Sequence, residues 1–549
     1  MSQYSKMKQS REQWKAKAIE RGQAERYQRK QSARHKARAA QKTKALEAAE
    51  ARIGELEAHL RDLTIRPKVD VVHLALQLFL EARIGFRAVS RVLTLLALAL
   101  GIKKAPCPQT VINWVMRLSI VRIDSARHLR GLPLSQAPFG NGMIWMIDLS
   151  IGLGTGKILA VLACDAHHHQ RNRGALSLAQ VHCIGVSVAT SWTGEAIVAV
   201  LKRLIAVMGR PAAYLKDRGS ELYKAVDLLA LEGLASACLD DISHAAASML
   251  KRTYQHHPDF EMFLSACGRV SSNFKQTILA CLAPPNVRTK ARFMNVHRLF
   301  TWADRVLKLS PTGGAKAGSI LARLRANLDR LPQCKALIKR FRADAKGLMG
   351  CEQILKTKGL TPATLAACEP LIDTMASAAV RQEFRAYLDV QLETAKELGF
   401  DQVGLPISSD SIESLFGVAK QHGVGETQDA ARIALRLPAL CGAPTREEAR
   451  QVLEGSVARQ QAVSDQFVSL TKQRREVLGH PERLESLSED QGEAQMELIP
   501  RPKSRLNHEP ILNLSMDCEN RYGPQLVAED DLALLENTGP PEIREVALS

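Results

Sequence analysis

The chain has 549 residues and a formal net charge of +18, with 24% charged and 46% hydrophobic residues. At roughly 100–200 residues per domain this length implies about three or four domains, and the composition excludes wholesale disorder, a collagen-like repeat and a disulfide scaffold. The longest uncharged apolar run, Val92 to Ile102, falls far short of the ~20 residues a membrane helix needs, the hydrophilic start does not read as a signal peptide, and the 11 cysteines form no C-x-x-C pair, so a soluble chain with buried thiols and no membrane partner is expected.

The charge is polarised along the chain. Residues 1 to 44 carry about 14 Lys and Arg against about 3 Glu, while residues 482 to 549 carry about 15 acids against about 6 bases. A basic arm suits phosphate contact through counterion release; the acidic tail is either a solvated spacer or a competitor for that arm. Tyr4 to Leu63 has almost no Gly or Pro and is rich in helix formers, which predicts one long helix. Leu46, Ile53, Leu56, Leu60 and Leu63 are spaced as in a short coiled-coil seam, serving either dimerisation beside a DNA-contacting arm or packing on the same chain.

After Pro67, two apolar stripes, Val71, Leu74 and Leu78, then Phe86, Val89, Leu93 and Leu96, flank Gly85 and predict two helices. Gly101 and Pro106-Cys107-Pro108 stop the second, and Pro108 suits the first turn of a third helix reaching about Leu118. Val111, Trp114, Val115 and Leu118 face inward. Gln109, Thr110, Asn113 and Arg117 take the opposite face, where they can meet base edges or phosphates. This is the grammar of a helix-turn-helix, which a three-helix bundle without DNA shares.

A different regime begins near Gly140. Met143 to Ile147, Lys157 to Cys164 and Val181 to Ala189 are apolar runs that predict three strands in meander order, the first two joined by the Gly-rich turn 152–156. A helix over Gly194 to Met208, a strand over Ala212 to Lys216 ending at Asp217, a helix over Ser220 to Leu231, a strand over Ala235 to Leu239 and a helix after His244 follow. The order βββαβαβα implies an α/β fold, a mixed sheet with helices on both faces, and resembles the ribonuclease H-like arrangement. Residues 254 to 404 have helical spacing and no convincing strand, as in an all-α insertion; Lys420 to Arg475 is mostly helical; beyond Pro481 a loosely ordered acidic tail is expected.

Asp148 sits in an apolar strand, where an unpaired carboxylate is costly, and so does Asp217; each calls for a cationic or metal partner. In the resembled fold the first and fourth strands are neighbours, so the two acids meet at one sheet edge. A third acid on a helix packed there would complete an oxygen-rich cage for two Mg²⁺ ions. Glu413 fits, in the first turn of the helix opened by Ser408-Ser-Asp-Ser-Ile-Glu, and Lys420 falls on its face seven residues later.

These residues resemble the bacterial insertion-sequence transposases of the DDE type, over about residues 140 to 425. Asp148 matches their first-strand acid, Asp217 in Tyr-Leu-Lys-Asp-Arg-Gly the fourth-strand acid, and Glu413 the helix acid. Asp241-Ile-Ser-His244 is similar to the Asp/Cys-x-x-His element of members with a helical insertion, and Glu413 to Lys420 to the Glu-x6-Lys part of their signature, whose Tyr and Arg are replaced by Pro406 and Ser409. The resemblance implies catalytic roles for Asp148, Asp217, Glu413 and His244, metal ligation by the three acids, two Mg²⁺ ions with Mn²⁺ able to substitute, and phosphate contact by Lys420. It further implies phosphodiester hydrolysis at element ends and strand transfer into target DNA, a homodimer or higher oligomer on DNA, and a cytoplasmic, nucleoid-associated location. A binding protein that lost cutting and a structure-selective nuclease of the same fold are the alternatives. The expected organisation is a basic arm (1–66), a helix-turn-helix (67–135), the first part of the core (140–253), the insertion (254–404), the final catalytic helix (405–425), a helical region (426–480) and the tail (481–549).

Other motifs lead elsewhere. The stretch 151–158 lacks the first Gly and final Ser/Thr of a phosphate loop; His167-His168-His169 lacks a partner at ligand spacing; no G-x-S-x-G elbow accompanies Ser187, Ser191 or Ser220. Asp165, Asp240 and Asp410 are competing acids, Asp410 as a helix cap. Trp302 is either a core residue or a contact for end DNA or a displaced base.

Overall fold

A computed structural model describes residues 3–62, 68–127, 142–150, 156–172, 174–287, 292–309, 311–421, 429–480, 482 and 496–501. Residues 152–155 of the Gly-rich turn, Leu63, the side chains of Ile53, Leu56 and Leu60, and the tail beyond 501 lie outside the described residues. The chain divides into two compact units, Met1–Val71 with Val92–Ala105, and Val72–Arg91 with Pro106–Ser549. No helix among the described residues is long and apolar enough to cross a membrane.

In the first unit, α1 (Gln3–Asp62) is a single helix of 60 residues. Its described side chains stand in solvent, Trp14, Tyr27 and Leu46 included, as expected of a stretch with no continuous apolar stripe along its basic half.

α2 (Lys68–Leu80), α3 (Phe86–Leu95) and α4 (Pro108–Ala126) follow the expected stripes, with Pro108 in the first turn of α4. α4 runs past Leu118 because Ser119 to Ala126 continues the apolar spacing and contains no breaker.

The second unit is organised by a sheet of β1 (Met143–Leu149), β2 (Lys157–Asp165), β3 (His182–Ala189), β4 (Ala213–Lys216), β5 (Ala237–Asp240) and β6 (Met496–Leu498), in the order β5-β4-β1-β2-β3-β6. β1 pairs antiparallel with β2 and parallel with β4, and β4 pairs parallel with β5. The mixed sheet inferred from element order is present, with one addition: β6 pairs antiparallel with β3, drawing three residues of the segment expected to be loose onto an otherwise open sheet edge. Between the strands lie α5 (His168–Arg171), α6 (Gly194–Met208) and α7 (Ser220–Leu231).

The strands are apolar on both sides because both are covered. Met143, Trp145, Ile147 and Tyr214 pack with α6 and α7. Ile144, Met146 and Leu215 belong to the larger core on the other face, which also includes α8 (Ile242–Tyr254), α9 (Pro258–Phe274), α10 (Arg292–Asn295), α11 (His297–Leu307), α12 (Ile320–Leu328), α13 (Lys335–Lys358), α14 (Pro362–Asp373), α15 (Ala378–Glu397) and α16 (Asp410–Gln421). The stretch between residues 254 and 404 is helical as expected; its only described β contact is an isolated bridge from Leu360 to Leu405. α17 (Ala430–Ala434), α18 (Arg446–Glu454), α19 (Val457–Gln466) and α20 (Leu470–Gly479) complete the unit.

α4 packs against β3, α18 and α19. Arg122 secures this contact: its guanidinium donates to Glu448 at 2.7 Å, to the Ala439 carbonyl at 2.7 Å and to the Gly442 carbonyl at 3.0 Å.

Candidate active site

Strand parity sorts the charges at the sheet edge. Successive side chains of a strand point to opposite faces, so Asp148 follows Ile144 and Met146 onto the face of the larger core, and Asp217 follows Ala213 and Leu215 there. In the parallel β1/β4 register Ile147 lies opposite Lys216, which brings Asp148 and Asp217 to the same level at the ends of adjacent strands. Lys216 points the other way. It is fully buried, 3.0 Å from Asp240 Oδ1 and over the Tyr223 ring. Asp240, one of the competing acids, is therefore consumed in neutralising that lysine, and Tyr223 OH donates to its second oxygen at 2.6 Å. Asp165 is taken by Arg171 at 2.6 Å.

One residue after β5, the parity reverses again, and Asp241 faces the acid pair's side. It is 1% exposed and caps α8 by accepting from His244 N at 2.8 Å. Its other oxygen accepts from Ser409 N at 2.6 Å and Ser409 Oγ at 3.0 Å, and Ile242 N donates to the Ile407 carbonyl at 3.0 Å. The start of α8 and the lead into α16 are thus tied together across the whole helical insertion. Ser411 Oγ in turn reaches Met146 Sδ at 3.3 Å, seating the first turn of α16 on β1. Glu413 comes to lie beside His244, whose Nε2 is 2.9 Å from Glu413 Oε1.

The electrostatics are those of crowded carboxylates. Burial, reinforced by Asp217 and Glu413, pushes the Asp148 carboxyl up to about 7, against the opposing pull of the Leu149 N–H and His244. Burial pulls the His244 imidazole down, but the hydrogen bond it donates to Glu413 and the charges of Asp241, Glu413 and Asp217 outweigh it, leaving the ring raised to about 9. Asp148 Oδ1 accepts from Leu149 N at 2.7 Å and Asp217 Oδ1 from Gly219 N at 2.9 Å. No Lys or Arg among the described residues pairs with Asp148, Asp217 or Glu413. Carboxylates brought near one another with only the His244 ring as a positive partner suit a divalent ion. The expected closed cage is nonetheless absent: among the described residues no three His, Cys, Asp or Glu side chains gather tightly enough to hold a metal. Glu413 is turned to His244, the nearest positive charge, because three anions without a counterion repel one another.

Of the DNA-facing residues expected on α4, Arg117 is a correction. It is 7% exposed, its Nε donates to Gln460 Oε1 and its Nη1 to the Val452 carbonyl at 3.3 Å, so it packs α4 onto α18 and α19. Gln109 is exposed and bonds Asn113 at 3.1 Å; Thr110 and Asn113 are half-buried, Thr110 3.3 Å from Cys107 Sγ. Lys420 ends α16, 6.0 Å from the Phe416 ring centre. Trp302 packs on the core and donates to the Leu282 carbonyl at 2.9 Å. Burial pulls the His168 ring down and pushes His169 down to about 4, so these two rings are packed in the neutral form.

Composition and spacing did not single out the groups beside α16. A cavity of about 460 Å³ opens next to Glu413, lined by Ser243, Phe293, His297, Glu352, Lys356 and Asp410 among others. Burial pushes Glu352 up to about 7, against the pull of Lys356. Asp410, expected only as a cap, accepts from Ser243 Oγ at 3.2 Å.

No protein-family profile and no characterised protein sequence matches the chain. Among solved structures it is similar to the Drosophila P element transposase strand transfer complex, at 13% identity over 70% of this chain and 93% of that one, with a TM-score of 0.37. It is also similar to the simian T-cell lymphotropic virus intasome in complex with PP2A regulatory subunit B56 gamma, at 14% identity over 41% of this chain and 67% of that one, with a TM-score of 0.14. At identities and superposition scores this low, neither likeness assigns a fold or a function to this chain.

Proposed function

We propose that the chain is a DNA transposase that hydrolyses a phosphodiester at its element's ends and transfers the freed strand into target DNA. The observation that supports this reading is the placement of Asp148 and Asp217 at the ends of adjacent strands with Glu413 near them beside His244, no lysine or arginine among the described residues pairing with any of the three, and Asp148 pushed up to about 7 by burial and its acidic neighbours. Asp148, Asp217 and Glu413 would hold two Mg²⁺ ions, or Mn²⁺, which supply activation of the attacking oxygen and stabilisation of the leaving one. His244 orients the Glu413 carboxylate through its 2.9 Å bond and releases it when a stronger cation competes. Asp241 keeps the two halves of the site at a fixed spacing. Lys420, one helical face along from Glu413, is assigned to the phosphate backbone, and the basic α1 to non-specific duplex contact. Gln109, Thr110 and Asn113 at the start of α4 are assigned to end recognition. A homodimer formed along α1 and action on nucleoid DNA in the cytoplasm belong to the same reading.

The test is labelled DNA carrying candidate element ends, incubated with Mg²⁺ or Mn²⁺ and either the native chain or Asp148→Asn. Metal-dependent cleavage and joining that disappear in the variant while binding persists is the expected result. Binding without cleavage by both proteins would instead identify a binding protein that has lost cutting, and cleavage without joining a nuclease.

A further inference from the structure

The site as described gives Glu352, Lys356 and Asp410 no task, yet all three line its cavity beside Glu413. Lys356 Nζ is 2.7 Å from Asp410 Oδ2 and 3.3 Å from Glu352 Oε2. The Lys356 side chain is 19% exposed and that of Glu352 18%, while that of Asp410 is 47% exposed, so the network is anchored in a desolvated lysine and glutamate and reaches out to a half-exposed carboxylate at the start of α16. We propose that Lys356 is a positioning residue through which the helical insertion fixes the first turn of α16, and with it the Glu413 carboxylate. This rests on the reading of Glu413 as a metal ligand.

The geometry gives Lys356 the leverage. Asp410 and Glu413 are three residues apart and so lie on one side of α16. The first turn is gripped at successive points: Ser409 by Asp241, Asp410 by Ser243 and Lys356, and Glu413 by His244. The arm that carries Lys356 is itself anchored. Gly359 closes α13 at φ 71° and Gly404 follows at φ 81°, each packed against backbone of the other's segment with no room for a Cβ. Leu360 and Leu405 then exchange backbone hydrogen bonds of 2.9 and 3.1 Å. Lys356, three residues before that crossing, therefore stands at a set distance from the start of α16. Removing its charge takes away the shared partner that joins Glu352 on α13 to Asp410 on α16.

The test uses the full chain with Lys356→Met, Lys356→Arg and Asp410→Asn, read by Mn²⁺ titration and by amide hydrogen exchange over residues 410–416. Lys356→Met is expected to weaken Mn²⁺ binding by about tenfold or more, as loss of a supporting partner of a metal ligand does, and to speed exchange in that turn. Lys356→Arg is expected to stay within about threefold of the native chain, because it keeps the charge. Asp410→Asn removes the other half of the contact and should behave as Lys356→Met does, which keeps the test decisive if Lys356→Met does not fold. Native Mn²⁺ binding and native exchange in Lys356→Met, even with a lowered Tm, would overturn the proposal and leave a merely stabilising ion pair. If the native chain binds no Mn²⁺, the metal reading of Glu413 fails, and hydrogen exchange alone still decides whether Lys356 holds the turn.

Discussion

Asp148 folds into a place where ionising is costly. Its carboxyl is raised to about 7 in the folded chain from an ordinary 3.8, so between about pH 4 and 7 the unfolded chain gives up this proton first and stability falls as pH rises. In chelator-containing buffer Asp148→Asn should therefore be more stable than the native chain at pH 8, by on the order of 2–4 kcal/mol, with the difference vanishing near pH 4; urea denaturation at both values measures it. His244 works in the opposite sense. Its ring is raised to about 9 from 6.5, so its stabilising contribution is complete below about pH 6.5 and lost as pH rises through 9. Its ring should titrate near 9 by NMR, and in Glu413→Gln the midpoint should fall by about one to two units, because a principal source of the rise is gone. An unmoved midpoint in that variant would show that Asp241 and Asp217 alone hold the charge.

At the scale of elements, α4 has the outline of a recognition helix and the packing of a core helix. Arg117 illustrates the difference: expected to face DNA, it lies one turn along from Trp114 on the buried side of the helix, and its guanidinium is enclosed by α18 and α19. Arg117→Ala should cost about 2–4 kcal/mol, by leaving buried partners unsatisfied and a void behind, and should leave the DNA affinity of the folded fraction unchanged. Gln109→Ala, on the exposed side, should change stability by no more than about 0.5 kcal/mol. Loss of DNA binding in Arg117→Ala without loss of stability would return that residue to the DNA-facing side. What separates these cases was not legible locally, because Gln460 and Val452 are more than 330 residues away. The sheet was far more legible. Apolar runs doubly buried between helices mark β1 to β4 almost to the residue, and their order fixes which acids share an edge. β6 escaped because Met-Glu-Leu lies in an acidic, weakly periodic stretch and is ordered by tertiary contacts, by pairing with β3, burial of Met496 and Leu498 in the core, and Arg203 holding Glu497 at 2.9 Å. Asp241 was visible as part of a motif, but its bonds to Ser409 span the insertion, and no spacing rule reaches that far.

At the scale of the molecule, charge is distributed by region: α1 carries the basic residues of 1–44, exposed to solvent wherever their side chains are described, and acids collect beyond residue 482. If the basic arm supplies non-specific duplex contact, the affinity of the whole chain for random DNA should fall steeply with salt. Removing residues 1–44 should flatten the plot of log affinity against log salt, by about 0.9 for each phosphate no longer neutralised. Fluorescence anisotropy at several salt concentrations checks this, and an unchanged slope would mean that the arm does not touch DNA.

The long tether between β1 and α16 also orders events in time. Ser411 meets Met146 across 265 residues, and Asp148, Asp217 and Glu413 come together only through that return. During synthesis at about 5–20 residues per second, Glu413 emerges roughly 10–40 seconds after Asp217. Throughout that interval the nascent chain already holds its two strand acids in a nearly finished sheet but has no third. A ribosome that stalls or terminates anywhere within the insertion therefore releases a fragment that can retain the basic arm yet lacks the complete acid set. If the chain is the transposase proposed above and its arm binds DNA, such fragments would occupy DNA without cutting it and compete with the full-length protein.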